Sequence, residues 1–192
     1  MNTFKWGILG TGGMAQMHVD AIRNVADCDV VAVAGRDPDR TAAFVADHGI
    51  ESWYPSYDAL IEAGNLDAVY VATTNDLHPP LTIAAVQAGI PVLCEKPFAI
   101  NLAESVEMAA AAHSAGVFVM EAMWMSFQPA LIDVERRIAA GQIGTPRQVA
   151  ADICHPVPRD PQRRWFDLHQ GGGTLIDMGV YPLTLAIEVL GE

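Results

Sequence analysis

The chain has 192 residues, 51% of them apolar, and a formal charge of −12 at pH 7. That length suffices for one or two domains with a substantial core, and the acidic balance argues against a nucleic-acid partner or an anionic membrane surface. No apolar run reaches the roughly 18 residues that cross a bilayer, and no basic-then-apolar leader opens the chain, so a soluble, cytoplasmic protein is expected. Three cysteines, Cys28, Cys94 and Cys154, stand far apart without a Cys-x-x-Cys pair; buried free thiols are expected, and neither a disulfide scaffold nor a metal site.

The first stretch, Phe4–Leu9, reads as a strand, and Gly13–Asn24 as a helix. Between them lies Gly10-Thr11-Gly12-Gly13-Met14-Ala15, a Gly-x-Gly-x-x-Ala turn. A buried parallel strand delivers the chain to a tight turn, where Gly10 can take backbone angles closed to other residues. Gly12 lets a pyrophosphate approach the backbone, and Ala15 lets the helix lie close to the strand. The helix N-terminus offers N–H groups and a positive dipole end to phosphates.

Asp29–Ala34 is a continuous β-branched run, as a strand buried on both faces should be. It ends at Gly35, where an enzyme using NAD usually carries an acidic residue for the ribose 2′-hydroxyl. Arg36 follows, and Arg40 comes one helical turn later. Guanidinium groups suit a 2′-phosphate, so NADP is expected, with NAD possible. Asp37 is the alternative ribose ligand. Asp37-Pro38 opens the next helix with an N-cap and a proline in its first turn, and Gly49 ends it.

Ser52–Tyr54 is a short strand and Tyr57–Ala63 a short helix. Leu66–Ala72 is the fourth strand, followed by a helix from Asn75 to Ala88. Pro91–Cys94 is the fifth strand, Leu102–Ala115 an alanine-rich helix, and Val117–Met120 the sixth strand. Strands alternating with helices predict an α/β fold, a Rossmann-type doubly wound parallel sheet over residues 1–122.

After Glu121 the pattern changes. Met123–Phe127 is aromatic and sulfur-rich, Pro129–Ala140 is an amphipathic helix, and Arg147–Cys154 alternates like a strand. Residues 155–170 read as a long loop. Gly171-Gly172-Gly173 then introduces one helix, Thr174–Leu190. A lone strand leaves two unpaired edges, so residues 123–192 are expected to be the N-terminal part of an incomplete α+β domain.

Three stretches together resemble the Gfo/Idh/MocA family of nicotinamide-dependent oxidoreductases. They are Gly10 to Ala15; Ala72-Thr73-Thr74-Asn75-Asp76-Leu77-His78 with Cys94-Glu95-Lys96-Pro97; and Gly171 through Pro182. Glu121-Ala122-Met123-Trp124 and Tyr181 resemble the dihydrodiol dehydrogenase and D-xylose dehydrogenase branch. The resemblance covers essentially the whole chain. Thr74 stands where the family commonly has proline, a mild departure. Family members usually continue further, into an open antiparallel sheet that supports the site and the dimer, so this chain is expected to be C-terminally short.

The resemblance implies cofactor contacts at Gly10, Thr11, Gly12, Gly13, Met14, Ala15, Thr73, Asn75, His78, Glu95 and Lys96, to which the residue pattern adds Arg36 and Arg40. It also implies that Tyr181 transfers the proton and that Lys96 lies near the nicotinamide ribose. A free tyrosine titrates near pKa ~10, and a lysine beside it would make it a better base. On a single helix Asp177 and Tyr181, four residues apart, share a face, and Asp177 is then placed to bind a substrate hydroxyl or orient Lys96. The expected function is hydride transfer between a nicotinamide cofactor and the CH–OH group of a sugar, polyol or cyclic diol, in a homo-oligomer. The alternatives are an NAD-dependent inositol-like dehydrogenase and a dinucleotide-binding regulator without turnover.

Overall fold

The computed structural model describes residues 3–161 and 163–191. The chain divides into two compact units, Met1–Ala122 and Met123–Glu192.

The first unit is a six-stranded sheet: β1 (Phe4–Leu9), β2 (Cys28–Ala34), β3 (Ser52–Tyr54), β4 (Ala68–Val71), β5 (Val92–Cys94) and β6 (Val119–Glu121). The strands lie in the order β3-β2-β1-β4-β5-β6, and every neighbouring pair is parallel. This is the doubly wound order, in which the winding direction reverses between β1 and β4 and opens a crevice at the strand ends. Both faces of the sheet are covered. Ile8, Val30, Val33 and Tyr70 pack on one side with Ala15, Val19 and Ile22. Leu9, Val69, Val71 and Val92 pack on the other with Leu81, Ala85 and Met108. Central strands buried on both faces need the continuous apolar runs seen in the sequence.

The covering helices are α1 (Gly13–Arg23), α2 (Pro38–His48), α3 (Tyr57–Ala63), α4 (His78–Gln87) and α5 (Leu102–Ala115). Side chains of Asp37, Ser56 and Asn101 cap α2, α3 and α5 by accepting backbone N–H bonds. One boundary differs in kind from the expected one: Asn75–Leu77 is a 3-10 turn, and α4 begins only at His78. The Pro79-Pro80 pair explains this: neither proline has an N–H to give the carbonyls of Asn75 and Asp76, so α-type bonds cannot close over residues 75–77. Cys94 is buried as expected, but Cys28 is half-buried and Cys154 exposed.

The second unit holds α6 (Pro129–Ala139), α7 (Thr174–Asp177) and α8 (Val180–Leu190), with 3-10 turns at Trp124–Phe127, Arg164–Phe166 and Leu168–Gln170. Two expectations fail here. Arg147–Cys154 forms no strand. An alternating segment becomes a strand only with a neighbour to accept its N–H bonds, and none is present among the described residues of this unit. The single helix Thr174–Leu190 is broken at Met178-Gly179, and the segments Leu168–Asp177 and Val180–Leu190 bend by 48°. Pro182 accounts for the break: it has no N–H to give the carbonyl of Met178, and its ring would collide with that carbonyl in a continuous helix. Asp177 and Tyr181 therefore sit on successive helices rather than on one helix face. The 155–170 loop holds two 3-10 turns. Among the described residues no single helix is long and apolar enough to cross a membrane.

Candidate active site

In the first unit the glycine-rich turn lies at the switch point of the sheet. Gly10 has φ +119°, and a Cβ there would stand 2.5 Å from the carbonyl oxygen of Ala72 at the end of β4. Only glycine lets β1 and β4 deliver their loops this close together. The next two glycines behave differently. A Cβ on Gly12 would meet nothing nearer than 4.0 Å, and one on Gly13 nothing within that distance. Their backbone faces open space, as close approach of a ligand requires. Gly12 is the N-cap of α1 and brings no side-chain acceptor, unlike the caps of α2, α3 and α5. Ala15 is fully buried and seats α1 against the sheet. These features fit a pyrophosphate received by backbone N–H groups.

At the tip of β2, Gly35 is hemmed in. A Cβ on it would lie 2.2 Å from Oγ1 of Thr41 and 3.2 Å from Cγ2 of Thr11. The Thr41 hydroxyl is itself fixed by donating to the Asp37 carbonyl at 2.6 Å. An acidic side chain in the usual ribose-binding place is thus sterically opposed. Asp37 is occupied as the α2 cap, accepting from the Arg40 N–H at 3.1 Å. The Arg40 guanidinium reaches back to the Thr11 carbonyl at 2.8 Å, which ties α2 to the glycine-rich turn. Arg36 is exposed beside it.

Thr73 is half-buried, its hydroxyl 3.3 Å from the Thr74 carbonyl, and Asn75 is buried at the head of the 3-10 turn. His78 is only 1% exposed. Its Nδ1 lies 2.8 Å from the Pro97 carbonyl; a carbonyl can only accept, so Nδ1 carries the proton. Glu95 is 5% exposed and turns back into the fold, where its Oε1 accepts from the Tyr70 hydroxyl and its Oε2 from the Lys96 N–H at 3.2 Å. Phe98 N–H donates to Oε1 of Glu121 at 2.7 Å. Burial holds the Glu121 carboxyl above its usual range, against the Phe98 bond. Lys96 itself is half-buried.

In the second unit the Trp124 indole N–H donates to the Tyr181 hydroxyl oxygen at 3.2 Å, and the two rings lie 5.7 Å apart, tilted. Sequence reasoning missed this pair because 57 residues separate them; the aromatic at the foot of Glu121-Ala122-Met123-Trp124 was the available signal. Arg164 approaches Asp177 at 3.5 Å, and the Asp177 side chain is 16% exposed. The guanidinium carbons of Arg163 and Arg164 lie 5.5 and 5.7 Å from the Trp165 ring centre. Gly172 has no room for a side chain, since a Cβ would lie 2.4 Å from the Arg164 carbonyl oxygen. Gly173 has φ +118° with open space at its Cβ position. The Arg164–Asp167 turn is thus clamped onto Gly172, and this brings Arg164 to Asp177. Among the described residues no cluster of metal-binding side chains occurs.

Comparison with known proteins agrees with this geometry. Residues 4–123 match an oxidoreductase family with an NAD-binding Rossmann fold, and residues 132–192 match the GFO/IDH/MocA C-terminal domain. Trans-1,2-dihydrobenzene-1,2-diol dehydrogenase of Mus musculus is 35% identical over 189 residues, which is 97% of this chain and 56% of that protein. The chain thus spans little more than half the length of this relative. A 3-ketoreductase from Actinomadura kijaniata, solved with NADP and TDP-benzene, superposes with a TM-score of 0.90 at 31% identity, over 99% of this chain and 58% of that one. An aldose-aldose oxidoreductase from Caulobacter crescentus gives 0.84 at 28% identity, over 100% and 58%.

Proposed function

The chain belongs to the Gfo/Idh/MocA family of oxidoreductases, and we propose that the protein transfers a hydride between NADP and the CH–OH group of a sugar, polyol or cyclic diol. The observation that carries this reading is the Gly10–Ala15 turn at the sheet's switch point, open at Gly12 and Gly13 where a phosphate would approach. Met1–Ala122 is the dinucleotide-binding domain, and Met123–Glu192 contributes the beginning of the substrate and dimerisation domain. The protein works as a cytoplasmic homo-oligomer.

The bound nicotinamide supplies the hydride acceptor. The alcohol's proton is left for the protein, and Tyr181 receives it on Oη. The Trp124 N–H points at that oxygen, so it orients the phenol and favours the form that bears negative charge. Lys96 provides the positive charge at the nicotinamide end. Asp177 receives a substrate hydroxyl, with Arg164 fixing its carboxylate. The adenosine end is read by Arg36 and Arg40. The crowding at Gly35 and the capping duty of Asp37 favour a 2′-phosphate over a free ribose hydroxyl and count against an NAD-dependent inositol-like enzyme.

Two measurements test the reading. Protein fluorescence should give a lower dissociation constant for NADP than for NAD, and Arg36→Ala or Arg40→Ala should remove most of that preference. A charged hydrogen-bonded pair is typically worth ~1.5–3 kcal/mol, a factor of about ten or more. Equal affinities would defeat the cofactor assignment. The reaction itself is tested by reduced-nicotinamide absorbance on mixing the protein with NADP and a panel of sugars and diols.

A further inference from the structure

Residues 95–98 form a turn held at nearly every backbone and carboxylate handle. Glu95 N–H donates to the Val71 carbonyl at 2.9 Å. The Lys96 N–H is taken by Oε2 of Glu95, the Pro97 carbonyl by Nδ1 of His78, and the Phe98 N–H by Glu121. Four neighbouring residues are thus fixed from three directions, and the residue at their centre is Lys96.

The partner on Oε1 of Glu95 is the unexpected member. Tyr70 lies in the middle of β4, in the sheet interior, and is 0% exposed. A core strand position of this kind is usually filled by an aliphatic residue. Here it carries a hydroxyl aimed at a carboxylate that is itself buried. Burying a carboxylate is costly unless its oxygens are satisfied by donors. Tyr70 and the Lys96 amide supply one donor to each oxygen. Burial, reinforced by the Glu95 charge, pushes the Tyr70 phenol far above its ordinary value, so the hydroxyl remains a donor throughout the working range. The ring is held as well. His18 of α1 stacks on it with centroids 3.9 Å apart and planes 26° off parallel. The His18 Nδ1 faces the Met14 carbonyl at 3.1 Å in the first turn of α1.

We propose that Tyr70 and Glu95 are a positioning pair for Lys96: the buried phenol locks the Glu95 carboxylate, the carboxylate locks the Lys96 amide, and the lysine is thereby presented in one orientation at the nicotinamide end of the cofactor. The His18 ring, stacked between α1 and β4, keys this arrangement to the phosphate-binding helix. The proposal rests on the cofactor reading above for its functional half.

The test uses Tyr70→Phe, which keeps the ring and deletes the donor, and Glu95→Gln, which keeps the shape but puts an amide where two donors must be accepted. Backbone amide exchange by NMR on the 192-residue protein is the first readout. Both variants should accelerate exchange at Lys96 by about tenfold or more, the loss of one hydrogen bond to a charged group. Ile8, in the neighbouring strand β1, and Val33, in β2 beyond it, should keep wild-type rates. The second readout compares NADP with 2′,5′-ADP, which lacks the nicotinamide. Both variants should weaken NADP binding severalfold and leave 2′,5′-ADP unchanged. Wild-type exchange at Lys96 in both variants overturns the pair. So does equal weakening of the two ligands, which signals general damage to the fold. If the unmodified protein binds neither ligand, the cofactor reading fails, and the exchange arm still decides whether Tyr70 and Glu95 hold Lys96.

Discussion

The two units put their apolar residues to different use. In Met1–Ala122 a set of large aliphatic side chains is fully enclosed: Ile8, Leu9, Leu60, Val69 and Val71 have no accessible surface, while Leu102 and Val106 of α5 stay exposed. In Met123–Glu192 none of the helices α6, α7 and α8 contains a buried residue, and Leu168, Leu175, Leu183 and Ile187 are all more than half exposed. The first unit completes its own core with a sheet covered on both faces. Among its described residues the second has helices without a sheet beneath them. The difference teaches where each kind of chemistry can be built. Groups held by deep burial, such as Tyr70 and Glu95, belong to the first unit. Groups held by local turns and side-chain pairs, such as Tyr181 with Trp124 and Asp177 with Arg164, belong to the second.

The sharpest way to probe that division is turnover. General acid–base groups typically contribute about 10²–10⁴ in rate. Tyr181→Phe should therefore cut turnover by a factor in that range and leave NADP affinity nearly unchanged. Trp124→Phe keeps an aromatic side chain but deletes the indole N–H, and should cost about tenfold, again without touching the cofactor. Lys96→Met, in the other unit, should lower both turnover and NADP affinity. Steady-state kinetics paired with fluorescence titration separates these outcomes. Near-full turnover in Tyr181→Phe would transfer the base role to Asp177.

Stability comes next. Leu60→Ala removes a fully enclosed side chain, and such changes cost about 2–5 kcal/mol. Leu183→Ala, at a side chain 55% exposed, should stay within about 0.5 kcal/mol. Denaturant melts read both. Comparable losses at the two sites would mean that α8 is enclosed in solution. Exposed apolar surface on this scale ordinarily draws a partner or causes association, so light scattering of the 192-residue chain should show oligomers. A clean monomer with a cooperative melt would mean that this apolar surface is covered in solution.

Much of the first unit was legible in the sequence, because its signals are local. Apolar β-branched runs mark the strands, Asp37 and Asn101 mark helix starts, and the spacing of Gly10, Gly12 and Ala15 marks the turn. What was not legible depends on contacts across the fold. Arg147–Cys154 has a strand's alternation but no neighbouring strand among the described residues of its unit. The Tyr70–Glu95 contact joins β4 to the turn after β5, 25 residues along the chain, and neither residue announces the other. Crowding at Gly35 by Thr41 and Thr11 is likewise a three-dimensional fact. The break before α8 is a different kind of miss: Pro182 was in plain view, and its missing N–H toward Met178 was enough to place the kink.

The smallest expected effect concerns Glu121, at the end of the outer strand β6. Burial raises its carboxyl above the ordinary value, while the Phe98 N–H and the nearby Lys96 act in the opposite sense. The folded protein therefore holds this proton more tightly than the unfolded chain does. Linkage fixes the sign: this group favours the fold at low pH, and that contribution is lost as pH rises from the unfolded value, ~4.3, through the raised folded one. At neutral pH the charged form is kept in place at a net cost. Glu121→Gln removes the charge and retains an oxygen for the Phe98 N–H. Its melting temperature relative to the unmodified protein should thus be higher at pH 8 than at pH 5. Thermal melts at the two values check this. A variant that gains at pH 5 instead, or loses stability equally at both, would mean that the Glu121 charge supports the turn around Lys96 rather than opposing the fold. The carboxylate would then join Tyr70 and Glu95 among the groups that hold that lysine in place.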